Sequence, residues 1–261
     1  YTTPIGENIT AFVGPRIENY YMYITPSVYK PGALKSMKLG GNANFGASTD
    51  VGAGVKYETD GGFGFATNVV SKNADSSKGM LGKTDKNKWD TQLAYTTDRW
   101  HVSGTLSNQQ NWSSHAYNAT KQAAGMKSGD FTGYALRSYW RPENTGTATP
   151  EISAGYDIRN ADDTVTSGTG KNSDSYFVGL TWKDIFQADD RIGLAFTQPL
   201  KVTECNGTCS TAEVDPFVWE AYYAFRPNDS IEVRPAIFGG SDVYEDGDDI
   251  FGTVLTTVFK F

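Results

Sequence analysis

The chain has 261 residues and a formal net charge of −7, and it is rich in Tyr, Phe and Gly, with 15, 14 and 28 copies. The negative charge disfavours non-specific nucleic-acid binding, and the absence of any apolar run near the ~18 residues of a membrane helix excludes a bundle of such helices. Aromatic residues and glycine in this proportion are typical of many strands and turns, so we expect one large all-β domain over 1–261.

Alternation of apolar and polar residues with a period of two predicts about 12 strands. In chain order these strands span 7–15, 49–58, 63–71, 88–97, 100–108, 130–141, 150–159, 174–183, 191–198, 216–226, 230–238 and 250–261. In the last strand, Phe251, Leu255 and Phe259 fall on one face, and Val254 and Lys260 fall on the other. Its length fits a tilted membrane-crossing strand of roughly 9–11 residues, although the final strand of a soluble sandwich shows the same pattern.

The predicted connections alternate between short turns, near 60, 98, 145, 187 and 228, and long loops. The long loops span 16–48, 72–87, 109–129, 160–173, 199–215 and 239–249. This alternation is typical of transmembrane barrels, which have short periplasmic turns and long external loops. Aromatic residues cluster on the apolar face beside the short turns, as an interfacial girdle predicts: Tyr57, Phe63, Tyr95, Trp100, Trp140, Trp182, Tyr223, Phe225, Phe259 and Phe261. The sequence therefore predicts a transmembrane antiparallel β-barrel.

Charged residues occupy the opposite face of the predicted strands. A charge on the lipid face costs up to ~2–4 kcal/mol at mid-bilayer, so we expect these side chains to line the pore. They are Lys56, Arg137, Asp157, Arg159, Glu220, Glu232 and Arg234. The mixed signs predict weak ion selectivity, with a mild cation preference contributed by the acidic loop 239–249. Within the strand 230–238, Pro235 cannot donate to a ladder and predicts a bulge or an irregular pairing.

The long loop 16–48 is the predicted constriction of the pore, because a loop of this length in a compact domain is usually functional. The candidate residues are Tyr20, Tyr21, Tyr23, Tyr29 and Lys30. The alternative is an external loop that packs on a neighbouring subunit.

Cysteine and histidine residues indicate no catalytic or metal chemistry. Cys205 and Cys209 are too close, and too far from any histidine, for a zinc site, so we expect a small disulfide, with two free thiols as the alternative. His101 and His115 are expected at opposite ends of the barrel as solvated side chains, so they cannot share one active site. We therefore predict no enzyme, no metal and no cofactor.

Several stretches resemble the cyanobacterial outer-membrane porins of the Som-type, OprB-like family, which carry an S-layer-homology domain. The resemblance lies in 219–238, which begins Trp219-Glu-Ala-Tyr-Tyr-Ala-Phe-Arg-Pro, and in 251–261, Phe251-Gly-Thr-Val-Leu-Thr-Thr-Val-Phe-Lys-Phe. The stretches 1–15, 52–57 and 179–186 also resemble segments of that family, and Pro235 has a counterpart there.

The resemblance implies a C-terminal part of a larger porin of about 16 strands, without its upstream S-layer-homology domain and first strands. The alternative is a closed barrel of about 12 strands. It also implies an outer-membrane location in a cyanobacterium, a homotrimer, contact with outer-membrane lipid, and attachment to the cell wall only through the upstream domain.

The function that these observations predict is passive diffusion of small hydrophilic solutes, including carbohydrates, and inorganic ions through a water-filled barrel. The alternative is an outer-membrane receptor or adhesin with a closed lumen, which would act through the loops 109–129 and 199–215.

Overall fold

A computed structural model of the chain describes residues 1–24, 29–34, 36–37, 50–72, 81, 86–112, 129–161, 169–207, 215–243 and 249–260. Thirteen strands form a single sheet in which each strand pairs antiparallel with its neighbours in sequence. The strands are β1 (Thr2–Ile5), β2 (Ile9–Ile17), β3 (Asp50–Glu58), β4 (Phe63–Lys72), β5 (Lys86–Thr96), β6 (Trp100–Trp112), β7 (Gly129–Trp140), β8 (Glu151–Ala161), β9 (Thr169–Lys183), β10 (Arg191–Asn206), β11 (Phe217–Asn228), β12 (Ile231–Ser241) and β13 (Ile250–Phe259).

The predicted all-β architecture is confirmed, and the count of about 12 strands differs by one short strand at the start of the chain. That strand is β1, which pairs with β2 from Thr2↔Phe12 to Ile5↔Ile9. A short 3-10 turn, Asn19–Met22, follows β2. Within the described ranges, no helix is long and apolar enough to cross a membrane.

The two faces of the sheet differ in polarity as the alternation predicts. On β7, Leu136 is 59% exposed on the outer face, whereas Arg137 beside it is buried on the inner face. On β5, Trp89 and Leu93 are exposed outside and Asp90 is buried inside. A soluble protein would place its apolar side chains inside, so this inverted pattern indicates an outer face made for lipid.

Aromatic side chains on the outer face form two rows. The row beside the short turns includes directly opposed pairs, with ring centroids 4.9 Å apart for Phe63 and Tyr95 and 6.1 Å apart for Trp100 and Trp140. A second row, which the sequence analysis did not identify, lies six residues further along the strands, or about 20 Å. It comprises Trp89, Tyr134, Tyr176 and Trp219, together with Tyr156 on β8. Two rows of this kind are typical of a barrel that crosses both membrane interfaces.

The β9–β10 hairpin extends beyond its predicted boundaries, and the pairing of β12 is interrupted beside Pro235. Strands β9 and β10 continue into the predicted loops 160–173 and 199–215, and their pairing extends to Asn206↔Thr169 through three register shifts. Bulges of this kind let a ladder continue where strict alternation fails. At Pro235, the predicted irregularity occurs on one side only: pairing with β13 is continuous through Pro235↔Leu255, whereas pairing with β11 is interrupted between Ala236 and Val233.

The short turn between β9 and β10 is organised by a single carboxylate, that of Asp190. It accepts hydrogen bonds from the backbone N–H groups of Ile185 (2.9 Å), Phe186 (3.0 Å) and Gln187 (3.1 Å) and from the Tyr223 hydroxyl (3.0 Å). Burial alone would raise the pKa of Asp190, but these donors favour the charged form and the net shift of its pKa is downwards.

We therefore expect Asp190→Asn to destabilise the protein by about 1–3 kcal/mol at pH 7, because three partly buried backbone N–H donors lose an ionised acceptor. Since the folded-state pKa is lowered, this contribution is present above the ordinary pKa of about 3.9 and is lost as the pH falls through the folded value. Thermal unfolding in detergent from pH 7 to pH 3 should therefore show a gap between wild type and variant that closes in acid. Asp189→Asn, next to it and largely exposed, is the matched control and should change stability by less than about 0.5 kcal/mol. A gap that is equal at pH 7 and pH 3 would contradict the role of the ionised carboxylate.

Candidate functional site

The inner face of the sheet is polar, and most of it is covered. Seven charged residues were predicted to line the pore, and all seven lie on this face. Arg137, Asp157, Arg159, Glu220 and Glu232 are buried there instead of being open to water. Lys56 and Arg234 are partly accessible, with side-chain exposures of 24% and 17%. The location of these residues on the inner face follows from the alternation of side chains along each strand. Their burial depends instead on the part of the chain that packs over this face.

Three of these charges are held by local partners. Arg137 Nη2 donates to Asp157 Oδ2 at 2.6 Å, across the β7–β8 ladder. The guanidinium of Arg159 lies 3.5 Å from the centre of the Phe131 ring and donates to the Trp112 carbonyl at 3.0 Å. A buried charge without compensation is costly, and these contacts offset part of that cost, although Nε and Nη1 of Arg159 make no hydrogen bond.

The cover is the chain that follows β2, of which residues 19–24, 29–34 and 36–37 are described. We call these residues the inner segment. Asn19, Met22, Tyr23, Tyr29 and Met37 are buried against the inner face. The described part of the predicted constriction loop 16–48 therefore lies against the inner face. Residues 25–28, 35 and 38–48 of this loop lie outside the described residues.

One end of the inner segment is held by β5. Asp90 accepts hydrogen bonds from Asn19 Nδ2 at 3.2 Å and from the Tyr23 hydroxyl, and its carboxylate lies 3.4 Å from Lys88 Nζ. Two residues further along the strand, Gln92 Oε1 accepts from the backbone N–H of Ile24 at 2.8 Å. Both acceptors lie on the polar side of β5, so the strand period places them in one row facing the segment.

The other end is held by Glu220 on β11. Its Oε1 accepts from the Tyr29 hydroxyl at 3.0 Å and from Gly32 N at 2.8 Å, and its Oε2 accepts from Ala33 N at 3.0 Å and Leu34 N at 2.8 Å. Three consecutive backbone N–H groups thus converge on one buried carboxylate. The hydrogen bonds compensate the buried negative charge of Glu220 and provide an acceptor for each backbone donor. They also fix this end of the inner segment to β11.

Apolar contacts complete the attachment. Tyr29 packs edge-on against Phe177 and Tyr222, at centroid distances of 5.5 and 6.1 Å. Gly179 of β9 and Gly64 of β4 allow the inner segment to approach the sheet closely. A Cβ on Gly179 would lie 2.7 Å from the Tyr29 ring, and one on Gly64 would lie 2.4 Å from Ile24. The segment therefore packs at these two points against strand backbone without side chains.

The five constriction candidates divide into two groups. Tyr23 and Tyr29 are buried anchors, and burial together with the neighbouring carboxylates of Asp90 and Glu220 raises the pKa of their hydroxyls. Tyr21 and Lys30 are exposed, and Tyr20 is half-buried, with its ring 4.4 Å from that of Tyr21. Tyr20, Tyr21 and Lys30 therefore present side-chain surface to water, whereas the two anchors do not.

The prediction that the histidines are solvated is wrong for His101. Its ring is buried and stacks on Tyr139 at 5.4 Å, with Nδ1 2.7 Å from Thr96 Oγ1 and Nε2 3.1 Å from Ser103 Oγ. The imidazole lies on the inner side of β6, and both of its nitrogens have hydroxyl neighbours there. His115 lies outside the described residues.

Asp90, Gln92 and Asn19 were missed as site residues. Their signal was present, since Asp90 and Gln92 occupy the polar side of a predicted strand, but nothing in the sequence shows which polar residues the inner segment contacts.

Cys205 is disulfide-bonded at the end of β10, and Cys209 lies outside the described residues, so its pairing stays a prediction. In the described part of the chain, no group of three or more His, Cys, Asp or Glu side chains could hold a metal ion.

The architecture is that of bacterial outer-membrane porins. OmpF of Salmonella typhi, solved in complex with daunomycin, superposes with a TM-score of 0.57 at 17% identity and covers 96% of this chain and 73% of its own. A porin refined at 1.8 Å resolution gives 0.55 at 12% identity, covering 97% and 77%. OmpT, an outer membrane protein of Vibrio cholerae, gives 0.58 at 11% identity, covering 97% and 76%. Neither a protein-family model nor a curated protein matches the sequence.

Proposed function

We propose that the protein is an outer-membrane channel that passes small hydrophilic solutes and inorganic ions by diffusion. The observation that carries this proposal is the inverted polarity of the sheet, with large apolar side chains exposed outside and charged side chains inside. The porin fold supports it. The inner segment then acts as the constriction, because it occupies the lumen and is clamped to two strands.

Part of the inner face remains open to water, and we propose that solutes pass there. On β13, Val254, Thr256 and Val258 face inwards, opposite Ala236, Arg234 and Glu232 of β12. The two valines are exposed and Thr256 is half-buried. On β3, the ion pair of Lys56 and Glu58, 2.8 Å apart, is also accessible. Of these two strands, β3 also contacts the inner segment through Met22 beside Gly54, whereas β13 is an edge strand of the described sheet and pairs only with β12.

The finer assignment is a proposal based on the sequence resemblance. We propose a single outer-membrane barrel domain of the cyanobacterial Som-type porins, with short turns in the periplasm, long loops outside and a homotrimeric assembly. Transport of carbohydrates and ions, and not catalysis, is the activity that this assignment supports.

A second candidate is a receptor or adhesin with a closed lumen. The observation that favours it is the burial of Asp90, Arg137, Asp157 and Glu220, which leaves little water over the centre of the inner face. Such a protein would act through its external loops 109–129 and 199–215, of which residues 113–128 and 208–214 lie outside the described part of the chain.

Swelling of liposomes that contain the purified protein separates the two candidates. In isotonic solutions of arabinose, sucrose and stachyose, a channel with a constriction should pass the smallest sugar fastest and exclude the largest. A closed lumen should pass none of them. If neither the wild type nor the Glu220→Ala variant, which lacks the main clamp, admits arabinose, the channel proposal is wrong and the closed-lumen candidate replaces it.

A further inference from the structure

Basic side chains gather on the inner face at the short-turn end of strands β9 to β12. Lys183 and Arg191 lie directly opposite each other in the β9–β10 ladder, and Arg226 and Arg234 follow on β11 and β12. The inner segment adds Lys30, next to Pro31, whose carbonyl accepts from Arg234 Nη1 at 2.8 Å. We call these five residues the basic cluster. Like charges directly opposite in a ladder are destabilising, so their accumulation needs an explanation.

One carboxylate serves three of these arginines. Glu232 accepts from Arg191 Nη2 at 3.1 Å and from Arg234 Nη2 at 2.5 Å, and it lies 3.9 Å from Arg226 Nε. Lys183 shares Glu151 with Arg141, at 2.8 and 2.5 Å. Arg226 also donates from Nη1 to Asp189 Oδ2 at 3.3 Å. The five cations of the cluster therefore contact three carboxylates, one of which is shared with Arg141, in a protein whose overall charge is negative.

Several donors of the cluster are left without acceptors. The Nε atoms of Arg191, Arg226 and Arg234 are buried and make no hydrogen bond. The hydroxyl of Tyr222, a residue that is only 4% exposed, lies among these donors and interacts with Arg191 and Arg234. Buried donors are normally satisfied, so a group of them around one point indicates a missing acceptor.

The pKa of Lys30 is affected by the same excess of positive charge. Lys30 is exposed as a residue, but partial burial of its ammonium and the charge of Arg191 lower the pKa of that group, and the carboxylate of Glu232 offsets the shift only in part. In the part of the chain that the structure describes, Lys30 forms no ion pair. An anion in this position would relieve the repulsion among the cations as well as satisfy the donors.

The cluster also lies beside the open part of the inner face. Arg234 is directly opposite Thr256 of β13, and Glu232 is opposite Val258. Arg226 is 30% exposed. A solute that passes along β13 would therefore reach the guanidinium groups without displacing the inner segment.

We propose that the basic cluster is a binding site for a small oxyanion, a phosphate or a carboxylate, and that it makes the channel prefer anionic solutes. Planar guanidinium groups present paired N–H donors that match both anions, and the Tyr222 hydroxyl supplies one more donor. This inference rests on the proposed channel function and replaces the mild cation preference that the acidic loop 239–249 suggested. Residues 244–248 of that loop lie outside the described residues.

The first test is the reversal potential of the protein in a planar bilayer under a gradient of KCl. The wild type should prefer chloride, and Arg191→Gln or Arg226→Gln should reduce the preference. Lys201→Gln is the matched control, because Lys201 lies on the same strand as Arg191 but at the other end, paired with Asp215 at 2.6 Å. A wild-type cation preference, or an equal effect of the control, would overturn the proposal.

The second test measures binding without conduction, by isothermal titration of the folded protein in detergent with inorganic phosphate and, separately, acetate. Binding of either anion should weaken roughly tenfold or more in Arg191→Gln, which loses a charge-assisted hydrogen bond, and should be unchanged in Lys201→Gln. If no variant conducts but phosphate binds in this pattern, the channel function fails and the anion site stands. If the protein conducts but binds neither anion, the channel function stands and the site is refuted.

Discussion

Replacing Glu220 by alanine should release the inner segment from β11 and increase the single-channel conductance in a planar bilayer. The carboxylate is the acceptor for Gly32 N, Ala33 N, Leu34 N and the Tyr29 hydroxyl. A hydrogen bond to a charged group contributes about 1.5–3 kcal/mol, and each 1.4 kcal/mol, roughly, changes an equilibrium tenfold. Loss of all four bonds therefore shifts the equilibrium between docked and released segment by several orders of magnitude.

Glu220→Gln should have a smaller effect in the same direction, because the amide keeps one acceptor oxygen but points donors at backbone N–H groups. The matched control is Glu151→Gln, a second buried inner-face glutamate, whose carboxylate contacts Arg141 and Lys183 and not the inner segment. Its conductance should remain close to that of the wild type. Equal conductance of wild type and Glu220→Ala, in protein that folds and inserts normally, would show that the segment does not limit the pore.

Replacing Leu136 by arginine should destabilise the protein in lipid vesicles by about 2–4 kcal/mol. Leu136 points outwards from β7, and on the same face it lies between Tyr134 and Trp140 of the two aromatic rows. This position is near the middle of the proposed lipid-facing band, where a guanidinium has no water and no partner. Reversible urea unfolding of the protein in vesicles measures the change.

Asn144→Arg adds the same side chain to the exposed connection between β7 and β8 and is the control for that experiment. Its stability should remain within about 0.5 kcal/mol of the wild type. If both arginine variants are equally stable, Leu136 does not face lipid and the assignment of the outer face is wrong.

The faces of the strands could be predicted because they depend on neighbours in sequence. A period of two assigns Leu136 and Arg137 to opposite faces wherever the strand lies, and this assignment is correct along β5, β7 and β11. Strand ends were less predictable. Cys205 was assigned to a loop but lies in β10, because bulges allow the β9–β10 ladder to continue through residues that break the alternation.

Alternation alone made the polar inner face of the sheet predictable, and the length and composition of the loop 16–48 indicated a constriction. Which residues of the inner segment cover that face, and where they are attached, became clear only from the tertiary structure. Glu220 meets Gly32 across 188 residues of sequence and Asp90 meets Asn19 across 71, so no local pattern distinguishes these clamps from ordinary pore-lining residues. The same holds for Arg191, Arg226 and Arg234, which share Glu232 only because antiparallel pairing brings the short-turn ends of three strands together. Strand faces follow from the geometry of successive residues, whereas burial, clamping and excess charge follow from contacts between distant ones.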